Sequence, residues 1–236
     1  MTTGANENPS PIGRLDASYG ELRRMIVEGD LEPGSRILES EIALRLGVSR
    51  RTAQSALKRL QREGLISRPH GMRAPWIVAA LTIRGFREIA DVMEAILCQA
   101  AWRAAQLASK KREGLATDLR AINDEFRDAC SGEPLDIAHV DNLDWRFHGH
   151  LVQQVGGTRM REIYEAQQPT MQRYGRYYVA HLIGTLTVSA DEHAAIIDAI
   201  EQGQPDDAVL ATRQNWSNAC ERYSEAIKDA GELGIL

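Results

Sequence analysis

Asp144 and His148 stand four residues apart in "LDWRFHGHL". On a helix that spacing sets a carboxylate and an imidazole one above the other on a single face. Together they offer the oxygen and nitrogen donors that divalent Zn, Ni or Mn accept. Such a pair is also common on a solvated surface, so it defines a site only if further ligands arrive from elsewhere in the chain. His150 is two residues beyond His148 and points to another side of the helix, which makes it a poor ligand. A second chemistry is carried by "GVSRRTAQSALKRLQREGL", where Arg50, Arg51, Lys58, Arg59 and Arg62 stand against one acid, Glu63. A cationic cluster of this density can neutralise phosphates.

Those cations need an element to hold them. Ala53, Ala56, Leu57 and Leu60 recur at helical spacing and form one apolar stripe, with Arg51, Gln54, Ser55, Lys58 and Arg62 on the opposite side. Ser49 suits the N-cap of this helix, and Gly64 its end. Before it come an amphipathic helix over residues 15–28, a Pro33–Gly34 turn and a short helix in "ESEIALRLG", with Gly47 at a sharp bend. After it, "LISRPHGMRAPWIV" reads as a hairpin turning at His70–Gly71. Helix, short helix, glycine turn, basic helix and hairpin make a winged helix-turn-helix.

Beyond residue 80 the texture changes. Thr82 caps a long helix, and residues 113–130, 138–155, 158–183, 189–202 and 205–229 read as further helices punctuated by glycines. The predicted fold is therefore mainly α. It has a disordered tail over residues 1–13, a winged helix-turn-helix over 14–80 with three helices and a small β-hairpin, and an all-α bundle over 81–236. The charge agrees with two jobs. The 236-residue chain has a net charge of −5, yet residues 1–80 carry +3 and the remainder −8. No apolar run is long enough to span a bilayer, and no export signal precedes the first helix. Cys98, Cys130 and Cys220 are odd in number and lack CxxC spacing, which fits free thiols and a cytoplasmic location. The chain has no HExxH, no GxSxG and no glycine-rich phosphate loop, so no enzyme is expected.

The segment "GDLEPGSRILESEIALRLGVSRRTAQSALKRLQREGLISRPHG" resembles the winged helix-turn-helix of GntR-type transcriptional regulators. The stretches "LDWRFHGHLVQQVGG" and "DEHAAIIDAIEQGQPDDAV" resemble the helical FCD domain of the FadR-like branch, and the likeness runs from about Leu15 to Ala230. The resemblance implies a homodimer, a repressor more often than an activator, binding a palindromic double-stranded operator under control of a small-molecule effector. It places DNA contacts at Ser40, Ser49, Arg50, Gln54, His70 and Gly71, to which the charge pattern adds Arg51 and Lys58. The family's usual "TPVREAL" is here "RTAQSAL", so its customary arginine is Gln54. Glutamine pairs best with adenine and arginine with guanine. The operator is therefore expected to depart from the family pattern at the base pair that Gln54 reads.

In FCD domains the positions matching Asp144, His148, His193 and Asn215 are Asp, His, His and His, holding a divalent metal. Zn is the expected ion, with Ni or Mn as alternatives; Asn215 replaces one imidazole with a weaker amide oxygen. Where the family often has an arginine and a glutamate in its first long helix, this chain has Met93 and Leu97. That change disfavours a small dicarboxylate and suits a larger or less charged effector, although both residues also suit a helix core. Arg173, Arg176, Tyr177 and Tyr178 are candidate polar contacts to the effector, and His181 a candidate for the cavity border. A regulator in which the ion itself is the signal is the alternative reading. Residues 79–82 are the expected hinge.

Overall fold

The computed structural model of the protein describes residues 11–68 and 74–235. It divides into two compact units: the first runs up to Leu81 and takes in the residues from Leu233 onward, and the second is residues 82–232.

In the first unit, α1 (Pro11–Val27) precedes β1 (Arg36–Ile37), α2 (Glu39–Arg45), α3 (Arg50–Arg62), β2 (Ile66–Ser67) and β3 (Trp76–Val78). The first helix begins at Pro11, so residues 11–13 are helical where a tail was predicted; residues 1–10 lie outside the described residues. The Ser49 side chain caps α3 by accepting from the Thr52 N–H at 3.1 Å. Gly47 takes φ +63, a left-handed bend between α2 and α3 that a side chain would strain. Ala53, Ala56, Leu57 and Leu60 of α3 are completely buried, packed with Leu22, Met25 and Ile26 of α1. The sheet has antiparallel order β1-β3-β2. The sequence indicated only the β2–β3 pair, because β1 is two residues long and too short to show alternation. The predicted turn at His70–Gly71 lies outside the described residues.

This unit also takes in the chain end, which the sequence assigned to the bundle. Leu81 and Leu233 exchange backbone hydrogen bonds at 2.9 and 3.0 Å. Gly34 and Gly234 meet so closely that a Cβ on Gly34 would stand 2.6 Å from the Gly234 Cα. The predicted hinge residue Leu81 is thus strapped to the C-terminal segment.

The second unit is built from α4 (Ile83–Ala105), α5 (Ser109–Cys130), α6 (Ile137–Val155), α7 (Thr158–Tyr178), a 3-10 helix (Val179–Thr185), α8 (Leu186–Gln202) and α9 (Pro205–Ala230). Thr82 caps α4 as its sequence suggests, accepting from the Gly85 N–H at 3.0 Å. The Tyr174 hydroxyl fastens the same corner by donating to the Thr82 carbonyl at 3.0 Å. In the core, α4 packs along α9 and against α6, α7 and α8, while α5 lies on α6 and α8. Its inward face runs through Phe86, Ala90, Met93, Leu97 and Ala101.

Candidate DNA-contacting helix and candidate metal centre

Burying the apolar stripe of α3 turns its other side outward. Ser49, Arg50, Arg51 and Lys58 are exposed, Gln54 is half-buried between them, and Ser40 is exposed at the start of α2. Ser40 and Arg50 come together along a shallow groove that Arg36 and Arg68 also line. His70 and Gly71 lie outside the described residues. Arg59, one of the cations in the basic run, does a different job. Its guanidinium lies 3.7 Å from the centre of the Tyr19 ring and 3.2 Å from Asp16 Oδ1, and the Tyr19 hydroxyl donates to Glu63 at 2.7 Å. That cluster fastens α1 to the back of α3.

In the helical unit, Asp144 and His148 of α6 meet His193 of α8, with one ligand atom from each lying within 4.8 Å of the others. Donors around a shared ion at about 2.1 Å stand roughly 3–4 Å apart, so small side-chain rotations complete the set. His193 is fully buried, stacked 4.0 Å from the Phe147 ring and set edge-on to His148. Its tautomer is fixed by Asn123 of α5. The Asn123 amide nitrogen donates to the Ala190 carbonyl at 2.9 Å, which turns its oxygen toward His193 Nδ1 at 3.1 Å. Nδ1 therefore carries the proton, and the Nε2 lone pair faces Asp144 Oδ1 at 3.5 Å without a hydrogen-bond donor. An orphaned, buried acceptor aimed at a carboxylate and a second imidazole fits a cation.

Electrostatics point the same way. Burial pulls the His148 pKa down to about 4 and holds His193 well below the usual imidazole range, with His148 and Arg222 adding to the effect on His193. Both rings are held in the neutral form, which a metal would require, at neutral pH. Burial and the nearby Asp141 carboxylate push Asp144 up to about 7, against the pull of Arg222. A bound cation would favour the ionised form and oppose that rise. Asn215 of α9 borders the same space; its amide nitrogen donates to Glu192 at 2.8 Å, which leaves its carbonyl oxygen as the donor atom. His150 instead faces Asp118 at 3.4 Å, in keeping with its exclusion as a ligand.

Asp144, His148 and Asn215 line a cavity in which the centre of a water-sized sphere has about 80 Å³ to move. Asp141, Trp145, Trp216, Arg222 and Tyr223 line it as well. Arg222 is committed to Glu192 by two contacts, at 3.0 and 3.1 Å, and to the Ser189 hydroxyl at 3.1 Å. Burial raises the Glu192 carboxyl, but bonds from Arg222, Asn218 and Asn215 more than offset it and hold it below the ordinary range.

The effector candidates read from the sequence are elsewhere: Met93, Leu97, Arg173, Arg176, Tyr177 and Tyr178 do not line this cavity. Met93 and Leu97 are fully buried in the α4 core because they fall on its inward face. Arg173 is buried within α7, where desolvation lowers its pKa to about 10, and Tyr177 is half-buried. His181 is exposed and also off the lining. Sequence reasoning missed Asp141, Asn123, Glu192 and Arg222. Asp141 and Arg222 had a signal, since they sit three residues before Asp144 and seven after Asn215, on the same helical faces.

A winged helix-turn-helix with an outward cationic helix, joined to a helical bundle whose largely apolar cavity carries a few carboxylate, imidazole and amide groups, is the architecture of a DNA-binding transcriptional regulator. The chain belongs to the GntR family of bacterial regulatory proteins, matched over residues 16–74, and carries an FCD domain, matched over residues 88–218. It is 31% identical over 154 residues to an HTH-type transcriptional regulator from the TAR-I ttuE-ttuC' intergenic region of Agrobacterium vitis, covering 64% of this chain and 86% of that one. It is 27% identical over 222 residues to the Escherichia coli HTH-type transcriptional regulator YdfH, covering 94% and 93%. Among solved structures it resembles E. coli McbR/YncC, with a TM-score of 0.68 at 17% identity over 90% of this chain and 98% of that one. A GntR regulator from Rhodococcus sp. RHA1 gives 0.67 at 20% identity over 89% and 97%. None of the comparisons supports the reading in which the ion itself is the signal. No helix among the described residues is long and apolar enough to cross a membrane.

Proposed function

We propose that this regulator is a cytoplasmic repressor that binds a palindromic operator as a homodimer and is controlled by a small-molecule effector in the metal-centred cavity. The observation that carries the effector reading is the orphaned His193 Nε2, fixed by Asn123 and grouped with Asp144 and His148, which line the cavity. The donor set of two imidazoles, one carboxylate and an amide oxygen suits Zn. A bound ion would act as a Lewis acid toward an oxygen of the effector. The protein's own residues hold the cavity in shape: Asn123 orients His193, and Glu192 ties Arg222 and Asn215 together on α9.

On the DNA side, Arg50, Arg51 and Lys58 would neutralise phosphates and Gln54 would read a base edge. The test has two arms. Zn content of the full-length protein, measured by atomic emission, should be close to one ion per chain and fall sharply in His148→Ala and His193→Ala. Operator retention in gel shifts should be lost in a double Arg50→Ala, Arg51→Ala variant whose thermal stability is unchanged. Full metal content in both histidine variants would refute the metal centre, and undiminished operator binding would refute the role of α3.

A further inference from the structure

Asp141 is the charged cavity residue, among the described ones, left without a task. It has no hydrogen-bond or ion-pair partner among the described residues, although it lines the cavity and burial alone lifts its carboxyl to about 6. Partly buried carboxylates without a partner are costly, and they normally find a donor or a cation. Its position is set by the backbone of α7. A Cβ on Gly175 would fall 2.5 Å from Asp141 Oδ1, so the carboxylate fits there only because residue 175 has no side chain.

The other charges around the cavity are spoken for. Glu192 and Arg222 satisfy each other. Asp144 faces the imidazole cluster. Among the described lining residues Arg222 is the one arginine or lysine, and its engagement leaves no free cation for a second carboxylate of an effector. Asp141 therefore presents a negative charge to whatever fills the remaining space. On α6 it stands one turn from Asp144, a separation of about 5–6 Å between their Cβ atoms. That distance is comparable to the length of a small amino acid. The room available, about 80 Å³, is several times what one water needs and far short of a long acyl chain.

We propose that Asp141 determines effector specificity by pairing with the ammonium group of a small amino-acid-like ligand whose carboxylate faces the Asp144–His148–His193 end of the cavity. The assignment rests on the effector-cavity reading above and adds the ligand's charge pattern to it. It departs from the larger, less charged effector that Met93 and Leu97 suggested in the sequence, since neither residue reaches the cavity.

The test uses Zn-loaded full-length protein and two matched probe panels. One contains short α-, β- and γ-amino acids; the other has the same skeletons with methyl or carboxylate in place of the ammonium. Affinities are read by calorimetry after a thermal-shift screen. A charge-assisted pair contributes roughly tenfold to a hundredfold in affinity. The best amino acid should therefore bind at least about tenfold tighter than its ammonium-free counterpart. Asp141→Asn should erase most of that ratio while keeping its Zn content, and Gly175→Ala, which displaces the carboxylate, should move the ratio the same way. Ammonium-free probes that bind as tightly in a His148-dependent manner would overturn the Asp141 assignment and leave the cavity reading standing, as would a ratio that survives Asp141→Asn. Absence of binding by both panels would overturn the cavity reading and the assignment together.

Discussion

Replacing Asn123 with leucine tests the proposed metal centre without touching a candidate ligand. The side chains are similar in size, so the packing between α5 and α8 is largely kept. What disappears is the acceptor for His193 Nδ1–H at 3.1 Å and the donor to the Ala190 carbonyl at 2.9 Å. With no acceptor at Nδ1, His193 is free to carry its proton on Nε2, the atom that faces Asp144 and that would hold the ion. Loss of an outer partner of this kind typically weakens metal binding tenfold to a hundredfold, about 1.4–2.7 kcal/mol. Each buried group left unsatisfied costs about 1–3 kcal/mol of folding stability, so the variant should also melt at a lower temperature. Zn affinity is best read by competition against a chromophoric chelator, with the fold checked by circular dichroism. Operator affinity of the metal-free protein should be unchanged, because no DNA-facing residue is altered. A folded Asn123→Leu variant that holds Zn within twofold of the wild type would show that the Asn123–His193 bond does not tune the site.

Other consequences follow from the same geometry. Arg51→Ala should reduce the dependence of operator affinity on salt by about one phosphate contact, measured as the slope of log affinity against log salt. Arg59→Ala should leave that slope alone and instead lower the melting temperature, because Arg59 is occupied by Tyr19 and Asp16; a changed slope there would contradict its assignment to the α1–α3 clamp. Gln54→Arg should shift the preferred base from adenine toward guanine at one position per half-site, by about 1–3 kcal/mol in a binding-site selection. In the metal-free protein, the Asp144 carboxyl is lifted to about 7 from its ordinary value of 3.8. Its protonated form is therefore favoured by folding, and stability should fall as the pH rises from about 4 through 7. Asp144→Asn should flatten that decline, seen as a smaller gap between melting temperatures at pH 5 and pH 8 in the presence of chelator.

The winged unit was legible because its signals are local. Ser49, Gly47 and the Ala53–Leu60 stripe each state a cap, a bend or a buried face within a few residues. The two-residue strand β1 escaped notice, since its pairing to β3, Arg36 with Ile77 and Ile37 with Trp76, depends on residues far along the chain. In the bundle, Asp144 and His148 announced themselves by spacing, and the resemblance supplied His193 and Asn215. The shape of the cavity was not legible. Whether Met93 or Asp141 faces it depends on how α4 and α6 are rotated against their neighbours, and several faces of a bundle helix are apolar enough to be inward. Asn123 gave no sign at all, because a lone asparagine on α5 acquires meaning only when α8 is laid against it.

The clamp behind α3 has a bearing on how such a regulator changes its target. Tyr19, Asp16, Arg59 and Glu63 hold the helix by its rear surface, so its posture is settled before any nucleic acid arrives. Little freedom is then surrendered on docking, and the outward side chains become interchangeable tips on a stiff handle. Evolution, or an engineer, can rewrite the recognised bases at Gln54 and its neighbours while the handle stays as it is.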